Sequence, residues 1–328
     1  MPAPEDASPT ATAWQPGNSL DCHVRPARVH EPSQRGTRFE DGPTAAGILP
    51  RCRPAQGRLG LFLACGAIPV VFPVADDNSD RRIVPIVTIA LIAANVFVFV
   101  VLQGMGANDA FTMAYVQVPA EIISGRDVVT DDAVRAIPTP EGVVQVPVPG
   151  LRETPIPVWL TLLTAIFMHG SIMHLAGNMW FLWIFGDNIE DDMGHVRYLL
   201  FYVATGVLAS LAFVALNAKG EAALTPCLGA SGAISGVLGA YLVLHPQRRV
   251  SVIMIRMIVD VPAYVAVGIW FLFQVVSGVF DSAGGGGGVA YSAHVAGFIA
   301  GMLLAKPMSS REVRSEADPL VVLRRRIP

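Results

Sequence analysis

Six runs of apolar residues, near 84–105, 158–186, 197–217, 228–245, 260–279 and 289–305, constrain this chain more than any other feature. At ~1.5 Å of rise per residue, each covers most of a ~30 Å hydrocarbon core, the fourth and sixth being the shortest. Only 15% of the residues are charged, well below the ~25% of soluble domains. The expected fold class is therefore all-α: a polytopic membrane protein, six transmembrane helices bundled in a lipid bilayer. No basic cluster is interleaved with aromatics, so nucleic acid is not an expected partner.

An even number of spans leaves both ends on one side. With the start of the first span inside, the inner segments hold Arg81, Arg82, Arg197, Arg248, Arg249, Arg256, Lys306, Arg311, Arg314 and Arg324 to Arg326. The outer segments hold Arg126, Arg135, Arg152 and Lys219. Twelve against four orients the chain with N- and C-termini cytoplasmic, as expected in a cell (inner) membrane. Residues 1–57 lack apolar periodicity and are expected to be disordered. Residues 58–74 are apolar but interrupted by Pro69 and Pro73, which suits an interfacial or disordered lead-in. The first outer loop, about 106–157, is long, acidic and irregular or strand-like in "VVQVPVPGLRETPIPV"; it is expected to fold onto or into the outer leaflet. Cys22, Cys52, Cys65 and Cys227 show neither metal-ligand spacing nor a paired framework.

Polar groups inside spans are costly and mark function. Here they concentrate in "FMHGSIMHLAGNMWFLWIFG" (His169, His174, Asn178), in the fourth span (Ser231, Ser235) and in "VAYSAHVAGFIAG" (His294). His174 and Asn178 are four apart and share a helix face. Gly229, Gly232, Gly236 and Gly239 form a small-residue ridge in the fourth span, and Gly297 and Gly301 follow His294 on one stripe. Such glycines let two membrane helices approach closely. Counting rise from the inner ends puts Ser231 about 21 Å up, His174 about 20 Å, His294 about 18 Å and Asn178 about 14 Å. Four polar side chains on three helices thus meet at one level.

A serine hydroxyl becomes a nucleophile when an adjacent base takes its proton, and His294 can be that base. Neither helix offers Asp or Glu, so the arrangement is a Ser-His dyad. Asn178 NH2, a His174 N–H and the backbone N–H of Ser231, in the first turn of its helix, are the candidate oxyanion donors. His169, near the outer helix end, suits a loop-anchoring structural role. The soluble hydrolase pattern G-x-S-x-G fails at Ala233, and H-E-x-x-H is absent. No carboxylate or cysteine completes a metal site with His169, His174 and His294, so neither metal nor cofactor is expected.

Together "LTAIFMHGSIMHLAGNMWFLWIFGDNIED", "GASGAISG", "PAYVAVGIWFLFQ" and "AHVAGFIAG", with the lead-in "FPVADDNSDRRIVPIVTIALIAANVFVF", resemble the rhomboid intramembrane serine proteases over about 70–306. The resemblance implies a six-helix bundle with a water-filled cavity opening outward. It implies Ser231 as nucleophile, His294 as general base, His174 and Asn178 in the oxyanion hole, and Gly297 at the close helix contact. It further implies single-pass transmembrane proteins as substrates, cut near the outer membrane face after a small residue, with the fifth helix gating their admission. Helix-breaking residues near the cut are expected because a helical substrate hides its carbonyls. Two features depart from the family. Some members carry a Tyr one turn after the nucleophile that stacks on the catalytic His; here it is Ser235, with Tyr291 as a substitute neighbour. Residues 1–69 do not resemble a folded cytoplasmic domain, and are expected to be disordered or an extension upstream of the native start. Residues 307–328 are expected to be a cytoplasmic tail. The alternative reading is a non-proteolytic rhomboid-like protein that binds membrane clients; relatives of that kind lose the nucleophile or the base. A channel or transporter is disfavoured by the lack of an inverted repeat or an acidic path. The sequence carries no signal for an oligomeric state.

Overall fold

The computed structural model describes residues 72–139, 142–254, 257–284 and 290–310. Residues 1–69, Cys22, Cys52, Cys65, Arg256 and the tail from 311 onward lie outside these.

The described chain opens with strand β1 (Phe72–Asp76), inside the stretch expected to be a lead-in. Helix α1 (Ile86–Phe97) follows and widens into a π-turn at Val98–Leu102. The long first loop is more ordered than its sequence announces. It carries α2 (Asp109–Tyr115), α3 (Pro119–Ser124) and a hairpin of β2 (Ala133–Thr139) with β3 (Gly142–Val148).

The span expected at 158–186 is broken. A segment Val158–Phe167, centred on the helical turn α4 (Thr161–Thr164), bends by 78° into α5 (Ile172–Met193). Ser171 explains the restart: its side chain accepts the backbone N–H of His174 at 3.1 Å, an N-cap that satisfies a first-turn donor. Gly194 (φ 76°) turns the chain into α6 (His195–Leu216) in one residue, a conformation a side chain would strain. Then come α7 (Ser231–Leu244), strands β4 (Arg249–Met254) and β5 (Met257–Pro262), α8 (Ala263–Gly284) and α9 (Tyr291–Met308). The strands form an antiparallel sheet in the order β1–β4–β5 at the end of α7 away from Ser231. Its β4 text, "RVSVIM", has the period-two alternation of a strand.

By length and composition, α6 is sufficient to cross a membrane, and the bent pair counts as another if taken as one span. Ile86–Leu102, Ser231–Leu244 and Ala263–Val279 are apolar but shorter. Helix length therefore does not establish the expected count of six.

Helix α7 is the hub, packing against α5, α6, α8 and most extensively α9. Aromatic side chains such as Phe185, Tyr198, Phe201, Tyr202, Tyr241 and Phe298 are buried around it. Leucines and valines on the outward faces of α6, α8 and α9, among them Leu208, Leu272, Val279 and Leu303, remain exposed. An apolar exterior of this kind is what a hydrocarbon solvent covers.

Glycine sets the α7–α9 distance. A first side-chain carbon at Gly297 would collide with the Gly232 carbonyl oxygen, one at Gly301 with the Gly236 backbone, and one at Gly239 with the Phe298 carbonyl oxygen. Gly232 and Gly236 also face α6, where Ala209 and Thr205 leave no room for a Cβ. Gly229 departs from the expected ridge. It precedes the helix at φ 132° and lies against His174, so it supports the loop before Ser231 and not the helix contact.

The opposite end is held by carboxylates spaced on one face of α5. Asp187 pairs with Arg81 at 2.8 Å, and Asp191 accepts the backbone N–H groups of Arg82 and Ile83. Glu190 accepts the N–H groups of Val87 and Thr88, capping α1 from a neighbouring helix where Pro85 offers no side-chain cap. Beside them, Asp76 accepts from Asn188 Nδ2 and, at 2.8 Å, from Tyr241 Oη. Burial pushes the Asp76 carboxyl up to about 7, against the Tyr241 hydrogen bond. An acid raised in the folded state contributes stability that is complete below its unfolded value near 3.8 and lost as pH rises through about 7. The melting midpoint of the purified protein is expected to fall by several degrees between pH ~5 and ~8, with a shallower fall in Asp76→Asn. Identical slopes in the two proteins would contradict this assignment.

Candidate active site

Ser231 is the first helical residue of α7, directly after the positive-φ turn at Gly229. Its backbone N–H, with those of Gly232 and Ala233, belongs to the first turn, where no intrahelical carbonyl is available. Two neighbouring bonds fix the turn: Gly229 N–H donates to the Ala165 carbonyl at 2.9 Å, and Cys227 N–H to the Gln117 carbonyl at 2.8 Å. The outer loop and the break before α5 thus both brace the residues leading into Ser231. One turn on, Ser235 is fully buried and donates to the Ser231 carbonyl at 2.6 Å. That contact is within the helix, and Ser235 makes none with His294.

His294 stands on α9, and its Nε2 lies 2.7 Å from Ser231 Oγ. On the other side of the ring, Nδ1 lies 2.8 Å from Oε1 of Gln274, a buried residue of α8. Tyr291 meets the imidazole edge-on at a centroid distance of 6.2 Å, and Trp270 lies tilted at 6.5 Å. No ring stacks face-to-face on His294 among the described residues; two aromatics flank it instead.

His174 and Asn178 project from α5 toward the same place. Gly170 N–H points at His174 Nδ1 at 3.5 Å, a long contact that leaves Nε2 as the nitrogen carrying hydrogen. A side chain at Gly229 would press on this pair, its first carbon standing 3.0 Å from His174 Nε2 and 3.5 Å from Ser231 Oγ. Asn178 Nδ2 donates to His169 Nε2 at 2.9 Å, which spends one amide hydrogen and leaves the other.

His169 itself is fully buried, its backbone N–H and C=O both held by the Gln103 amide. It thus links the start of the outer loop to Asn178. The four polar residues expected to share a level are therefore brought together, with His169 one step behind. Gln274 was absent from that set. It sits in the quoted text "PAYVAVGIWFLFQ", and the same rise count places it about 17 Å above Ala263.

Ser231, His294, His174, Asn178, Gln274 and Tyr291 all line one cavity of about 1530 Å³. That is larger than the ~300–1,000 Å³ typical of small-molecule sites and suits a length of polypeptide. Chemically, the set offers a hydroxyl with a base on it, donors lining the same cavity, and surrounding space for a chain.

Residues 157–311 match the Rhomboid domain, a stretch that contains Ser231, His294, His174, Asn178 and Gln274. Over 97 residues the chain is 35% identical to the presenilin-associated rhomboid-like protein, mitochondrial, of Homo sapiens, covering 29% of this chain and 25% of that protein. Over 91 residues it is 41% identical to the rhomboid protease GluP of Bacillus subtilis (strain 168), covering 28% of this chain and 17% of the protease. Rhomboid protein 1, mitochondrial, of Saccharomyces cerevisiae is 29% identical over 148 residues, covering 44% of this chain and 40% of that protein. The chain is thus matched to the animal relatives over about a quarter of their own length.

Proposed function

Because this chain belongs to the rhomboid family, and is thereby a multi-pass helical membrane protein, we propose that it is an intramembrane serine endopeptidase. The observation that carries the reading is the 2.7 Å approach of His294 Nε2 to Ser231 Oγ at the wall of the cavity.

In the proposed reaction, Ser231 Oγ attacks the scissile carbonyl carbon and its proton passes to His294 Nε2. The oxyanion is received by His174 Nε2–H, the free Asn178 amide hydrogen and the Ser231 backbone N–H. Collapse of this intermediate sends the His294 proton to the leaving amine and leaves an acyl-enzyme. Water, deprotonated by His294, then attacks the ester and restores the serine. Asn178→Ala is expected to lower kcat by about 10²–10³ while leaving the protein folded, the usual cost of one oxyanion donor. A kcat unchanged by that variant would remove Asn178 from the hole.

The substrates are single-pass membrane proteins, unwound and cut near the outer face. The chain crosses six times with both termini on the inner, arginine-rich side of a cell membrane. The named relatives are bacterial and mitochondrial, and the inner membrane of a mitochondrion is the corresponding site in a eukaryotic host. Thiol labelling of a cysteine introduced at Lys306, from one side of sealed vesicles, tests this orientation. The catalytic reading is tested by a fluorophosphonate probe on the purified protein. Labelling that maps to Ser231 supports it; an unreactive Ser231 would favour a non-proteolytic binder of membrane clients.

A further inference from the structure

We propose that Gln274 is a positioning residue for His294, making the site a Ser-His-Gln relay in which the third member comes from α8. The inference rests on the protease reading above and deepens it.

Three observations carry it. Gln274 Oε1 lies 2.8 Å from His294 Nδ1, opposite the Nε2 that meets Ser231. Gln274 is the one amide or ionisable side chain between residues 265 and 280, and it is only 8% exposed. A buried amide in an apolar helix is costly unless it is bonded, so its placement against an imidazole nitrogen has to be accounted for. Lastly, Ser235 bonds the Ser231 carbonyl and Tyr291 meets the ring by its edge, so neither holds the ring by a hydrogen bond.

The chemistry follows from which nitrogen carries hydrogen. A carbonyl oxygen at Nδ1 accepts the Nδ1–H and so selects the tautomer whose Nε2 lone pair faces the serine hydroxyl. The opposite tautomer would turn an N–H toward Ser231 and a lone pair toward Oε1, leaving no base. When Nε2 takes the serine proton, Nδ1–H stays on Gln274, and its bond strengthens as the ring becomes cationic. A neutral amide does this without placing a third charge in lipid. Papain-like proteases use an amide in the same position of their Cys-His-Asn set. Trp270, one turn earlier on the same face of α8, tilts over the ring and limits its rotation.

The test compares full-length parent, Gln274→Met, Gln274→Leu, Gln274→Glu and Ser231→Ala in one detergent. Each is assayed for steady-state cleavage of a fluorogenic transmembrane reporter, for the rate of fluorophosphonate labelling at Ser231, and for melting midpoint. Gln274→Met, close in shape but without the acceptor, is expected to lose roughly tenfold in kcat and in labelling rate, with KM within about twofold. Gln274→Glu keeps an oxygen on Nδ1 and is expected to recover most of that loss. The proposal is overturned if Met and Leu variants match the parent, or if Glu is as impaired as Met. It is also overturned if the losses follow the melting midpoints and not the acceptor. A parent with no Ser231-dependent cleavage or labelling overturns the protease reading itself. Parent activity with indifferent Gln274 variants overturns only the relay.

Discussion

Replacing Ser231 with alanine is expected to abolish cleavage of a transmembrane reporter, and His294→Ala to do the same, with both proteins folded and inserted. Loss of either partner of a nucleophile–base pair costs as much as loss of both, about 10⁶ in kcat in a soluble serine protease. Here the loss should take the rate below detection, and the double variant should be no worse than either single one. The folds should survive because neither side chain belongs to the buried core of the bundle. Ser231 is partly exposed to the cavity, and alanine is at least as good at the start of a helix interior. Cleavage, fluorophosphonate labelling and melting midpoint on the same preparations check the claim. Retained turnover in either single variant would end the dyad.

The second large effect is structural. Gly301→Val is expected to separate α9 from α7, because its Cβ would occupy the Gly236 backbone itself and no flexible side chain can yield. Overpacking of this kind costs ~1–3 kcal/mol in ordinary cores and more where backbone must move. The variant should lose several degrees of melting midpoint and nearly all labelling at Ser231, since His294 rides on the displaced helix. Gly268→Ala is the matched control: a Cβ there meets nothing within 4 Å. A stable, fully labelled Gly301→Val would show that the two helices are not held at this distance.

How much of this was legible in the sequence differs by kind of information. Depth was legible, because helical rise is constant and polar residues in apolar runs stand out; that alone gathered Ser231, His294, His174 and Asn178. Rotation about each helix axis was less so. Gln274 lay in plain view, but only the structure shows that its face of α8 turns toward His294. Gly229 was counted with the ridge on spacing, although the helix starts two residues later and its φ of 132° belongs to a turn. The break at 168–171 had a signal, since Gly170-Ser171 ahead of an apolar run is a helix start, yet hydropathy averages across it. The sheet of β1, β4 and β5 and the capping of α1 by Glu190 were hidden for another reason. Apart from the local β4–β5 pairing, these contacts join segments more than 100 residues apart, and no local pattern encodes such a partner.

The four helices that supply Asn178, Ser231, Gln274 and His294 have a consequence for the newborn protein. No one of these helices carries a working site, and the proposed base arrives on α9, the last helix among the described residues. On this mechanism a chain partway through synthesis and insertion holds a serine with nothing to activate it. If the protease reading holds, activity then waits on the docking of α9, and the order of assembly itself shields the membrane while the chain is being inserted.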